Sequence, residues 1–323
     1  MIETGQWLQS LQYAFTTVSP VTHARVLAQR GAGPHAGCPI AATLTDVFGW
    51  SCPFGPGLLP PRFMDLLVQA SLVEPVAEAC DLYRARVRFS TVGDFLVPHS
   101  AYPTAQADAV FLGPDTYRFA RLIQHKLALQ PVHEGGRILD LGCGSGIGGI
   151  VACSHAPGGA HSPTAGNNLH LADISPTAIE FARASTALAG LPHAHFHVGS
   201  LFEPIDGSFD LIVANPPYLN DGAQRLYRHG GGARGEMLSL RIVEQSLPRL
   251  RQGGRLLLYT GSAIVGGEDG FRRQAEQTLQ KADGLTWRYE EIDPDVFGEE
   301  LETQAYRDAD RIAAVSLVVA RTA

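Results

Sequence analysis

A chain of 323 residues, 45% hydrophobic and 18% charged, is long enough for two domains and a full core, and its 35 glycines and 21 prolines are far from a collagen-like or disordered composition. The longest clean apolar run, residues 312–320, is interrupted by Ser316 and too short to span a bilayer; the start, Met1-Ile2-Glu3-Thr4, lacks the flanks of a signal peptide, so a soluble, cytoplasmic protein with no membrane partner is expected. The formal net charge of −7 is unevenly shared, with 9 basic and 9 acidic groups in residues 1–130 against 16 and 23 in residues 131–323, which weakens a nucleic-acid reading.

The first third reads as irregular. Residues 5–15, 21–30 and 62–72 have helical spacing, residues 31–39 and 52–61 are Gly/Pro-rich turns, and residues 83–89, 93–97 and 109–112 look like short strands. Arg84, Arg86 and Arg88 alternate along one of these strands, as a solvated face or a row facing phosphates would. From Gly113 the pattern changes. Strands are expected at 137–141, 169–172, 195–198, 209–214, 255–260, 286–292 and 313–320, and helices at 115–129, 147–154, 176–188, 236–250 and 271–282. This alternation predicts a mostly parallel, doubly wound α/β sheet. Residues 155–168 read as a surface loop.

Asp140-Leu141-Gly142-Cys143-Gly144-Ser145-Gly146 follows a strand and precedes a helix. Its glycines allow a tight turn and close approach of a ligand to the backbone. Gly144, Gly146 and Gly149 also satisfy the dinucleotide fingerprint, so a nicotinamide enzyme and an S-adenosylmethionine enzyme both fit at this point. Asp173, ending the next strand, suits ribose hydroxyls in either case.

Asn215-Pro216-Pro217-Tyr218 separates the two readings. It ends the fourth strand of the alternating region, at the carboxyl end of the sheet where such folds bind ligands. Adjacent prolines remove two donors and leave carbonyls to accept. A planar NH2 group can donate one hydrogen to the Asn215 side-chain oxygen and the other to the Pro216 carbonyl while stacking on Tyr218, which leaves its lone pair for an electrophile. Hydride transfer has no use for such an arrangement.

These motifs resemble class I S-adenosylmethionine-dependent methyltransferases of the Asn-Pro-Pro-Tyr group, which methylate amide and amino nitrogens. Residues 200–218 look closest to the release-factor glutamine N5-methyltransferases, and Gly113-Pro114-Asp115-Thr116 is similar to a helix start lying over the cofactor in that group. The resemblance implies a Rossmann-like seven-stranded methyltransferase sheet with its last strand antiparallel over residues 113–323. A smaller N-terminal α+β substrate-recognition domain over residues 1–112 would precede it. It implies Asn215, Pro216 and Tyr218 as catalytic, and Asp140, Gly142, Gly144, Gly146, Asp173, Ser200, Leu201, Asn215 and Thr116 as binding the cofactor S-adenosyl-L-methionine, with Asp140 facing its ammonium group and no metal. Ser200 stands where the family often has an adenine-binding Asp. The expected acceptor is a glutamine side chain on a protein loop; the alternatives are a nucleobase amino group (adenine N6 or guanine N2) of RNA or DNA, and a non-catalytic cofactor-binding protein. Cys38, Cys52, Cys80, Cys143 and Cys153 form no CxxC pair, His193, His195 and His197 read as surface residues, and the acidic run 290–302 as a solvated loop.

Overall fold

The structure, a computed structural model, describes residues 1–31, 39–76, 81–156, 166 and 168–322. Most of the expected turn at 31–39 and of the loop at 155–168, and Cys38 and Cys80, lie outside these residues.

The second part of the chain forms one large sheet. Its strands are β5 (Ile138–Leu141), β6 (Leu169–Asp173), β7 (His195–Val198), β8 (Phe209–Ala214), β9 (Leu250–Val265), β10 (Glu268–Asp269), β11 (Leu285–Asp293) and β12 (Arg311–Arg321). The order is β11-β12-β9-β8-β5-β6-β7, with the short β10 paired on β9. Strands β5 to β9 run parallel, and β12 pairs antiparallel with both β9 and β11. Seven strands in this order, with the last reversed, form the doubly wound α/β sheet that the alternation predicts and the Rossmann-like arrangement that the resemblance implies.

The chain leaves β5 toward β6 and β7, then returns to place β8 on the other side of β5. Ligands bind at such a switch point, outside the carboxyl ends of the strands. The glycine loop after β5 and the Asn-Pro-Pro-Tyr segment after β8 therefore meet at one crevice. The central strands are buried on both faces: Leu139, Leu211, Ile212, Val213, Leu257 and Leu258 are fully buried between helical layers.

The helices of this part are α5 (Pro114–Leu129), α6 (Ile147–Ser154), α7 (Pro176–Leu188), α8 (Met237–Ser246) and α9 (Gly270–Leu279). Helix α7 starts as its sequence suggests, with Ser175 accepting the Ala178 N–H and Pro176 at the first helical position.

The N-terminal part holds α1 (Ile2–Ser10), α2 (Pro20–Arg30), α3 (Leu44–Phe48), α4 (Pro61–Gln69) and two small hairpins, β1 (Val73–Pro75) with β2 (Tyr83–Ala85) and β3 (Val87–Val92) with β4 (Phe95–Ser100). Its core, around Leu8, Phe48, Phe54, Leu67 and Phe89, closes on Ala178 and Phe181 of α7. Three expectations change here. Helix α3 was missed, although Thr43 and Asp46 form the reciprocal capping box that announces such a start. The strand expected at 83–89 breaks at Arg86, whose N–H goes to the Leu72 carbonyl, so the arginine row does not form. Arg88 is buried and donates Nε to the Gly49 carbonyl at 2.8 Å. Residues 109–112 form no strand; the segment before them is held instead by Leu226 N to Ala107 O and by Tyr227 Oη to Thr104 O.

Candidate active site

Two neighbouring cavities occupy the crevice. The larger, about 450 Å3, is lined by Gly142, Gly144, Asp173, Ser200, Leu201 and Asn215, with Leu238, Arg241 and Ile242 of α8 along one wall. That volume lies in the range of ordinary small-molecule sites. The smaller, about 100 Å3, is lined by Asp115 and Thr116 of α5, by Asn215 through Tyr218, and by Phe111, Arg228 and Phe297. Residues 215–217, Phe111 and Tyr227 border both, and the rings of Phe111 and Tyr227 stack with centroids 5.6 Å apart.

Gly142 and Gly144 take left-handed backbone angles (φ 70° and 52°), and a Cβ on Gly142 would meet open space. This is the open cradle the sequence implies. Asp173 closes its far side: Oδ2 accepts the Gly144 N–H and Oδ1 the Ser175 N–H, both at 2.9 Å. Each oxygen keeps a lone pair for a ribose hydroxyl. Burial raises the pKa of this carboxyl, while the backbone donors act against that shift. The cavity, the glycine turn and this carboxylate fit the adenosyl part of S-adenosylmethionine.

Two expected contacts are corrected. Asp140 does not line the cavity; it is 2% exposed and turned beneath the loop, where Oδ2 accepts the Gly149 N–H in the first turn of α6 at 2.7 Å. It therefore satisfies an orphan donor at a helix start, and burial pushes its pKa up to about 7. Gly146, with φ 81°, also lies below the cradle, because a Cβ there would stand 2.8 Å from Leu171. Its role is packing under the turn. Thr116 lines the smaller cavity, and its Oγ1 accepts the Gly113 N–H.

Asn215 is half-buried, and among the described residues its side chain has no hydrogen-bond partner. Tyr218 is 7% exposed. Its ring packs over Gly261, where a Cβ would stand 2.3 Å from Cδ2. Its hydroxyl donates to Asp115 Oδ2 at 2.8 Å, and the Tyr259 hydroxyl donates to Oδ1 of the same carboxylate at 2.6 Å. Arg118 adds an ion pair to Asp115 at 3.1 Å. Burial, then the nearby Asp115 charge, raises the Tyr218 pKa, so the phenol stays a donor.

Sequence reasoning missed Asp115 as a binding partner, and Phe111, Tyr227, Tyr259 and Phe297 altogether. For Phe297 a signal existed: Val296-Phe297 is an apolar pair inside the acidic run 290–302. That run is not merely solvated. Glu300 pairs with Arg228, and the Tyr306 hydroxyl accepts the Asn220 N–H and donates to the Arg234 carbonyl, at 2.8 and 2.9 Å. The histidines stack beside the sheet edge, with His170 Nδ1 3.0 Å from His197 Nε2, and no group of three or more ligating side chains among the described residues is arranged to hold a metal ion. Cys143 is buried, and burial raises its thiol pKa well above the usual value.

Residues 120–266 match the family model described as Methyltransferase small domain. The chain is similar to the Ribosomal RNA small subunit methyltransferase C of Enterobacter sp. (strain 638), 36% identical over 117 residues, which cover 34% of this chain and 32% of that protein. The protein of the same description from Klebsiella pneumoniae is 38% identical over 96 residues, 30% of this chain and 25% of its own length. The chain thus spans about a third or less of these relatives. Among solved structures, a T. thermophilus 16S rRNA N2 guanine methyltransferase (RsmC) in complex with AdoMet and guanosine gives a TM-score of 0.45 at 14% identity, over 84% of this chain and 64% of that one. An M. jannaschii tRNA methyltransferase gives 0.48 at 14% identity, over 75% and 58%. Residues 120–266, which carry the glycine loop and the Asn-Pro-Pro-Tyr segment, thus match a methyltransferase domain, as those motifs led us to expect. No helix among the described residues is long and apolar enough to cross a membrane.

Proposed function

We propose that the protein is an S-adenosylmethionine-dependent N-methyltransferase acting on the exocyclic amino group of a nucleobase in small-subunit ribosomal RNA. The observation that carries the reaction class is the wall shared by the two cavities. Asn215 and Pro216 stand between a cradle suited to the cofactor and an aromatic-lined space suited to a planar acceptor. The cofactor, when bound, supplies an electrophilic methyl group. Asn215 Oδ1 and the Pro216 carbonyl accept the two amino hydrogens and aim the nitrogen lone pair at that methyl. As the N–CH3 bond forms and the S–CH3 bond breaks, the nitrogen becomes acidic and releases a proton to water. Alignment and preorganised acceptors, with no dedicated base, carry the rate enhancement.

The acceptor follows from the matched relatives, both described as ribosomal RNA methyltransferases. The sequence alone leaned toward a protein glutamine because of the local likeness around Ser200–Tyr218 and the acidic balance of residues 131–323; no relative reported above supports a protein acceptor, and the nucleobase takes its place. Residues 1–112, with 6 basic against 8 acidic groups and packed on α7, form the RNA-recognition module in this reading. The test is transfer of labelled methyl groups to protein-free small-subunit RNA and, separately, to ribosomal proteins with release factors. Nuclease-sensitive label whose yield falls with added salt is expected. Label confined to protease-sensitive material would reject the nucleobase.

A further inference from the structure

The loop between β11 and β12 places Phe297 against the acceptor cavity in a conformation that an aromatic L-residue avoids, φ 55° and ψ 43°. Such outliers persist only where their surroundings over-determine them, and they cluster at functional sites. Here the surroundings do so from both sides. Val296 is buried and donates its N–H to the Ile312 carbonyl at 2.8 Å, and the Phe297 carbonyl accepts the Glu300 N–H at 2.8 Å. Glu300 and Tyr306 then clamp the loop to the segment that follows Tyr218.

The two aromatic rings of this cavity are unequal. Tyr218 is almost wholly covered, with Gly261 against its ring and its hydroxyl tied to Asp115. Phe297 is only half-buried, lies 5.9 Å from Tyr218 at an interplanar angle of 71°, and has the Arg228 guanidinium 5.9 Å from its centroid. The pair makes a corner in which a planar base lies flat on one ring and meets the other edge-on, a favoured aromatic geometry.

We infer that Phe297 is the stacking platform for the acceptor base, with Tyr218 as the fixed edge behind it. The inference rests on a nucleobase being the acceptor at Asn215. It reassigns the stacking face from the motif tyrosine to a residue of the acidic loop, and it gives the unfavourable backbone of Phe297 a purpose, since in that conformation the ring lines the cavity.

Phe297→Gly and Phe297→Trp test it. Glycine adopts this conformation without strain, so the Phe297→Gly protein should melt at the same or a higher temperature than wild type and bind S-adenosylhomocysteine equally well. Its KM for small-subunit RNA should rise roughly 5- to 150-fold, the range expected for losing one base–aromatic stack, with a smaller change in kcat. Phe297→Trp should stay within a few-fold of wild type. As a second readout, 2-aminopurine riboside titrated into the S-adenosylhomocysteine complex should be quenched by wild type and by Phe297→Trp, and bound correspondingly more weakly by Phe297→Gly. RNA methylation with a KM unmoved by Phe297→Gly overturns the platform and leaves the proposed reaction standing. Phe297-dependent quenching without methylation of ribosomal RNA supports the platform and removes that RNA as the acceptor. A wild-type protein that neither methylates the RNA nor quenches the probe overturns both.

Discussion

Replacing Tyr218 by Phe removes one oxygen atom, and the structure says what that atom does. Read from sequence, Tyr218 contributes a flat face, and Tyr218→Phe should retain most activity. In the fold its hydroxyl donates at 2.8 Å to Asp115, 103 residues away, and so ties the segment after β8 to the first turn of α5. A hydrogen bond to a charged partner contributes roughly 1.5–3 kcal/mol. Asp115 keeps donors from Tyr259 and Arg118, and its side chain is 13% exposed, which points to the lower end, about 1.5–2 kcal/mol. The melting temperature should fall by roughly 2–4 °C per kcal/mol in a protein of this size. The wall that carries Asn215 also loses a tether, so kcat/KM should fall about tenfold, equivalent to ~1.4 kcal/mol. The assay is a double-mutant cycle of Tyr218→Phe with Asp115→Asn, read by thermal unfolding and by methyl transfer. A coupling of about 0.5–2 kcal/mol is expected for a direct pair. Full additivity, or a Tyr218→Phe protein indistinguishable from wild type in both readouts, would refute the tether.

Asn215→Ala should leave affinity for S-adenosylhomocysteine nearly intact, because the side chain addresses the acceptor, yet lower kcat by about 10²–10³, as expected for losing one preorganised polar group; steady-state kinetics beside calorimetry separates the two. Asp173→Ala should weaken cofactor binding by roughly 1–3 kcal/mol and also loosen the glycine turn, since the Gly144 N–H loses its acceptor; unchanged affinity by calorimetry would contradict the cradle. Asp140 supplies a pH test. Its folded pKa, pushed up to about 7 by burial, lies above the unfolded value near 3.8, so the folded state binds the extra proton and stability falls as pH rises between those values. Denaturant titrations from pH 4 to 7 should show Asp140→Asn gaining on wild type by up to roughly 1.4 kcal/mol per pH unit; a constant difference would mean that Asp140 does not titrate in that window.

The sequence alone determined the frame of the site. The strands expected at 195–198 and 209–214 fall on β7 and β8 to the residue, because apolar periodicity and flanking turn residues act within a few positions. The glycine cradle, Asp173 and the Asn215–Tyr218 segment were equally legible, since a strand–turn–helix start and a proline pair carry their backbone geometry with them. What those side chains face was decided only in the tertiary structure. Asp140 reads as a ligand because it opens the motif, but the fold turns it inward to the α6 start. Arg88 reads as one of an exposed row and is buried instead. The partners of Asp115 arrive from 103 and 144 residues further along the chain, and Phe297 reaches the cavity because β11 and β12 pair at the far side of the sheet. Local spacing sets which backbone forms; which side chain meets which depends on strand order and loop closure, and no short window of sequence contains either.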